Sequence, residues 1–155
     1  MITTKKSVSV SIFVCITVAV LLGILIVLGP WLFNLYMTAY RGFLPDGAAM
    51  EMVKTTFLFC FYPSAVFAGV ILYSLLRILF NIKKGNTFTR INVLLLKIVS
   101  WCCFLIAIIT AIGGYFYLPF LFIAVAGGFL GMFLRVLKNV MQSAVEIAEE
   151  NELTI

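Results

Sequence analysis

The side chains able to do chemistry are few. Four cysteines, Cys15, Cys60, Cys102 and Cys103, and six carboxylates are present, and histidine is absent. The cysteines all fall inside apolar stretches without C-x-x-C spacing, so they read as small hydrophobes rather than as a redox pair or zinc ligands. Lack of histidine removes the commonest general base near neutral pH and the commonest metal ligand. No G-x-S-x-G elbow occurs, and the Gly85-Asn86 pair lacks the Gly-Lys-Ser/Thr ending of a phosphate-cradling loop. The chain is therefore expected to have no enzymatic activity, cofactor or metal.

The carboxylates are placed unlike those of an ion-coupled transporter. Asp46 and Glu51 follow the first apolar run, and Glu146, Glu149, Glu150 and Glu152 cluster near the C-terminus. None lies in an apolar run, whereas a proton- or sodium-driven pathway would ordinarily hold an acid within the membrane.

The elements that position these groups follow from composition. Of 155 residues, 64% are apolar and 11% charged, and the mean hydropathy is +1.19. Soluble domains are nearer half apolar and a quarter charged. So short a chain still exposes much of its surface, which leaves lipid as the solvent for the excess. Four runs are long enough to cross a bilayer as helices, over about 10–36, 53–80, 92–112 and 118–137. The first follows Lys5 and Lys6 as a signal peptide would, but its apolar part is too long and no cleavage pattern follows, so it reads as a retained helix. Pro63 is expected to kink the second, and Thr89 to cap the third. The short Gly113-Gly114 connection makes spans three and four an antiparallel hairpin.

Direction follows from the basic residues, which are retained on the cytoplasmic side. With both termini inside, Lys5, Lys6, Arg77, Lys83, Lys84, Arg90, Lys97, Arg135 and Lys138 are internal, against Arg41 and Lys54 outside. Lys54, Arg77 and Lys97 lie near span ends, where snorkelling accounts for them. The +5 net charge thus reports topology and lipid head groups, and no direct nucleic-acid binding is expected. Beyond span four, Leu137, Val140, Met141, Ala144 and Ala148 recur at helical spacing with Lys138, Gln142, Glu146 and Glu149 opposite. This amphipathic helix, over 138–155, is expected to continue span four into the cytoplasm. Its acid-rich end favours a protein surface or the basic loop at Lys83 and Lys84 over anionic lipid. The expected fold is all-α, a four-helix transmembrane bundle of the cell membrane with both termini cytoplasmic. Small residues recur four apart at Ala19/Gly23, Ala65/Gly69, Ala107/Ala111 and Gly127/Gly131; the last, with Gly128, is the strongest contact seam, within one chain or in a homo-oligomer.

Two segments carry a family resemblance: Asn81-Ile-Lys-Lys-Gly85-Asn-Thr-Phe88-Thr89-Arg-Ile-Asn92-Val93, ahead of Trp101, and the ending Ala144-Val-Glu146-Ile-Ala-Glu149-Glu150-Asn151-Glu152-Leu153-Thr154-Ile155. With the four-span layout they resemble a family of small bacterial membrane proteins, domain of unknown function 2975. The chain departs from its pattern at Thr87, where proline is common, and at Ile91, where glutamate is common. The resemblance implies no established activity. Family members are often encoded beside a Cro/CI-type helix-turn-helix regulator, which implies a membrane component paired with a cytoplasmic transcription factor.

Three functions compete. In the first, a helix-turn-helix transcription regulator docks on an inner surface made of Lys83, Lys84, Gly85, Phe88, Thr89 and Arg90 with Glu146, Glu149, Glu150, Leu153 and Ile155. In the second, the outer loop Met37 to Met50 and the aromatic hairpin Tyr115 to Tyr117 protect against a membrane-active peptide. In the third, oligomerisation assembles a polar path for a transporter or channel from Asn34, Thr38, Ser64 and Ser74.

Overall fold

The computed structural model describes residues 2–39, 48–115 and 118–153. They form four helices: α1 (Ile2–Ala39), α2 (Ala48–Lys83), α3 (Arg90–Gly114) and α4 (Pro119–Leu153). All four contain stretches long and apolar enough to cross a membrane, and the chain is a multi-pass membrane protein. Much of the outer loop lies outside the described residues, as do Phe116 and Tyr117 of the hairpin.

Burial is inverted relative to a soluble domain. Phe59, Val27 and Phe122 each expose more than 70% of their surface, while the most enclosed side chains are Val99, Asn92 and Ser74. Apolar exposure on this scale is intolerable in water and ordinary against acyl chains. At 1.5 Å per residue, α4 is about 52 Å long against a hydrocarbon core of about 30 Å, so roughly fifteen residues of it project beyond the core. Pro30 and Pro63 are accommodated within continuous helices.

Close backbone approach among the described residues follows chain order: α1 on α2, α2 on α3, α3 on α4. The α3–α4 hairpin is the tightest pair, and small residues explain why. A Cβ added at Gly127 would lie 3.5 Å from Ala107, and one at Gly131 would lie 3.3 Å from the Phe104 ring. The Gly131 carbonyl accepts a 2.7 Å hydrogen bond from the buried Ser100 hydroxyl. The Gly127/Gly131 seam therefore packs within one chain, whereas Gly23 and Gly69 face open space. Near the hairpin, Gly113 admits Cys60 and Phe120, and Cys60 Sγ donates to the Ile109 carbonyl at 3.6 Å. At the same end Phe57 of α2 stacks on Phe33 of α1 and Phe120 of α4, with centroids 4.2 and 5.9 Å away.

Candidate functional site

The polar features gather at the opposite end, around the α2–α3 turn. Helix α2 ends in a Schellman motif: the Gly85 amide donates to Ile82 O and the Asn86 amide to Asn81 O, both at 3.0 Å. Gly85 has φ +91°, the left-handed conformation that this motif requires and that glycine adopts without a Cβ penalty. Four residues on, Thr89 is extended at φ −130° and ψ 146°, and its hydroxyl accepts from the Asn92 amide. Such a cap is worth about 1 kcal/mol and starts α3 at Arg90.

Asn92 locks the turn from beneath. It is fully enclosed, and its Nδ2 donates to the Asn86 and Thr87 carbonyls at 2.9 Å each. Its Oδ1 accepts from Asn81 Nδ2 at 2.8 Å. One side chain thus joins the end of α2, the turn and the start of α3. Chemical site searching passes over these two asparagines because neither titrates. The available signal was a lone asparagine on the leucine-lined face of span three, one turn after a capping threonine.

The projecting part of α4 comes back to this turn. Arg90 grips Glu149 at two points, Nε donating to Oε1 at 2.8 Å and Nη2 to Oε2 at 2.6 Å. Arg90 raises its own affinity for a proton through this contact, mainly by hydrogen bonding to Glu149 and then by coulombic attraction. In return the hydrogen bond from Arg90, aided by its charge, holds the Glu149 carboxyl below the usual carboxylate range. Of the two sequence alternatives for the tail, contact with the basic loop is the one seen, but through Arg90 rather than Lys83 or Lys84.

Around this clamp, Lys83, Lys84, Gly85 and Phe88 stand exposed on the turn, with Phe88 at 60% exposure. Glu146 and Glu150 are exposed on the tail, and Glu146 accepts a 3.0 Å hydrogen bond from Gln142. Leu153 ends α4, and Ile155 lies outside the described residues. The described candidate residues from loop and tail are therefore brought to one end of the bundle. Of those suggested for a polar path, Ser74 is almost wholly enclosed within the chain. The Thr38 hydroxyl is used within its own helix, donating to Asn34 O at 2.8 Å, and the buried Ser64 hydroxyl has no partner. Among the described residues no group of three or more cysteines or carboxylates could hold a metal ion.

Between the first turns of α3 and the projecting part of α4 lies a cleft of about 270 Å³, with Arg90, Lys97, Lys138 and Glu146 among its lining residues. Next to it, a recess of about 50 Å³ is lined by Lys97, Ser100, Trp101, Arg135 and Lys138. The Arg135 guanidinium sits 5.7 Å from the centre of the Trp101 ring.

A family model described as a protein of unknown function, DUF2975, matches residues 42–155. No curated protein and no solved structure matches the chain.

Proposed function

The chain belongs to the DUF2975 family, and on that premise we propose that it is a non-enzymatic docking protein of the cell membrane, whose surface at the Gly85 turn binds a small helix-turn-helix transcription regulator. The two-point Arg90–Glu149 contact carries this reading, because it joins the turn and the projecting α4 segment into one polar surface. An unattached amphipathic tail would have to be ordered at each encounter, and the clamp removes that conformational cost in advance. Exposed Lys83, Lys84 and Phe88 offer charge and an aromatic anchor beside the acidic face of the tail. Arginine and aromatic residues are the usual anchors of protein interfaces.

The docking surface is cytoplasmic in this reading, with both termini inside, because Lys and Arg concentrate at that end. Sequestration at the membrane would keep the regulator from its operator, and a change in the bilayer that loosens the tail would release it.

The experiment is a mild-detergent pull-down of the full chain and of a truncation ending at Asn139, each expressed with its genomic neighbours. Recovery of a helix-turn-helix protein with the full chain alone is the expected result. Equal recovery with both, or recovery of no soluble partner, would overturn the proposal. A C-terminal reporter that fluoresces only in the cytoplasm checks the orientation separately.

A further inference from the structure

The cleft between α3 and α4 is electrostatically divided. At its outer end Arg90 is paired with Glu149 and lies near Glu146. At its inner end Lys97, Arg135 and Lys138 converge on one small recess, and no described carboxylate comes within ion-pair distance of any of them. Lys138 donates to Asn139 Oδ1 at 3.1 Å, a neutral contact that leaves its charge uncompensated.

Depth gives this triad its meaning. Measured from the hairpin at 1.5 Å per residue, Lys97 lies about 26 Å from Gly114. On the same measure Arg135 lies about 24 Å and Lys138 about 29 Å from Pro119. With a hydrocarbon core of about 30 Å, all three cations fall near its far boundary, where lipid phosphates begin. Gathering like charges where the dielectric falls is unfavourable unless an anion joins them. Trp101 lines the same recess, and tryptophan is favoured at this depth. One and two turns deeper on its face, Leu105 and Ile108 are exposed and continue the path with apolar surface.

We propose that this recess binds the phosphodiester of an anionic phospholipid. Lys97, Arg135 and Lys138 take the phosphate oxygens, and an acyl chain lies along Trp101, Leu105 and Ile108. Arg135, held over the Trp101 ring, supplies a planar fork for two oxygens, while the lysines act as point charges. The bound lipid would bridge α3 and α4 next to the clamp that holds the tail, without depending on any protein partner.

Native mass spectrometry of the full chain from mixed micelles of phosphatidylglycerol and phosphatidylcholine tests this. The wild type is expected to retain phosphatidylglycerol selectively. Each cation removed should weaken retention about fivefold, so K97Q/R135Q/K138Q should lose roughly a hundredfold. R77Q/K83Q/K84Q removes the same charge from α2 and the turn and should retain the lipid. The single variant K138Q, half-buried at the recess rim, should show the fivefold step even if the triple variant folds poorly. Unchanged retention in both K138Q and the triple variant would overturn the proposal. So would equal retention of phosphatidylcholine, or orthophosphate stabilising the wild type as well as the lipid does, which would mark a free-anion site.

Discussion

Asn81 and Asn92 face each other across the α2–α3 turn, Nδ2 of the first donating to Oδ1 of the second at 2.8 Å. The contact is directional, because Asn92 spends both of its own amide protons on the Asn86 and Thr87 carbonyls. Every polar atom of the Asn92 side chain is thereby matched at a position with no exposure. The turn is held in one shape by pairing that water does not replace.

Asn92→Ala should therefore destabilise the protein on the order of 2–4 kcal/mol, since it strands an amide donor and two carbonyls at once. Asn92→Asp separates hydrogen bonding from packing. It keeps the volume, but a carboxylate cannot donate to the two carbonyls it would face. Detergent-titrated unfolding should place both variants well below the wild type, and Asn92→Asp unfolding with wild-type stability would show that the network contributes little.

The Arg90–Glu149 clamp should be sensitive to acid and salt. Glu149 has a lowered folded-state pKa, so its contribution is fully present above the ordinary carboxylate range and is lost as pH falls through the lowered value. The end of the tail should be held at neutral pH and loosen as pH falls below that range, and high salt should weaken the exposed pair, while Met141 keeps the start of the tail packed on Leu95 and Leu96. Spin labels at Lys84 and Ile147 would read release as a lengthened distance. Glu149→Gln should show no acid step, and the swap R90E/E149R should restore docking at neutral pH.

Much of this was legible in the residues. Apolar run lengths announced four helices, Thr89 announced the start of α3, and Gly127 with Gly131 announced the tight seam. The partner of Glu149 was not legible among Arg90, Lys83 and Lys84. That choice depends on the antiparallel register of α3 and α4, which is fixed by contacts such as Ser100 with Gly131 rather than by any local pattern. Lys97 read as a snorkelling residue because its span shows only its own depth. Its convergence with Arg135 and Lys138 needs the hairpin to be folded.

Glycine-to-alanine substitution along the hairpin should give a graded series set by the space at each site. Gly128 faces open space, so alanine there should be neutral or slightly stabilising. At Gly127 a Cβ makes ordinary contact at 3.5 Å, and at Gly131 it presses the Phe104 ring at 3.3 Å. Gly113→Ala should be the worst, because its Cβ would stand 2.7 Å from Cys60 Sγ and 3.0 Å from Phe120. Thermal aggregation midpoints of the four variants check the order, and a destabilised Gly128→Ala would contradict this packing of the seam.

Phe57 should control how firmly α1 is held. Close approach of α1 is to α2 alone among the described helices, and most of its side chains face lipid. Lipid tails are as apolar as leucine, so burial by itself gives α1 little reason to prefer α2 over the bilayer. Ring stacking is different, because it depends on the geometry of Phe57 against Phe33 of α1, which acyl chains cannot reproduce. At about 0.5–1.5 kcal/mol per ring pair, Phe57→Leu should weaken the hold on α1 by about 0.5–1.5 kcal/mol while remaining apolar. Energy transfer between dyes on α1 and α2 during detergent titration should show α1 separating earlier in this variant. A double-mutant cycle with Phe33→Leu should return a coupling of about one ring pair. If Phe57→Leu leaves the separation unchanged, attachment of α1 rests instead on Phe61 packed over Gly29, and Gly29→Leu becomes the variant that detaches it.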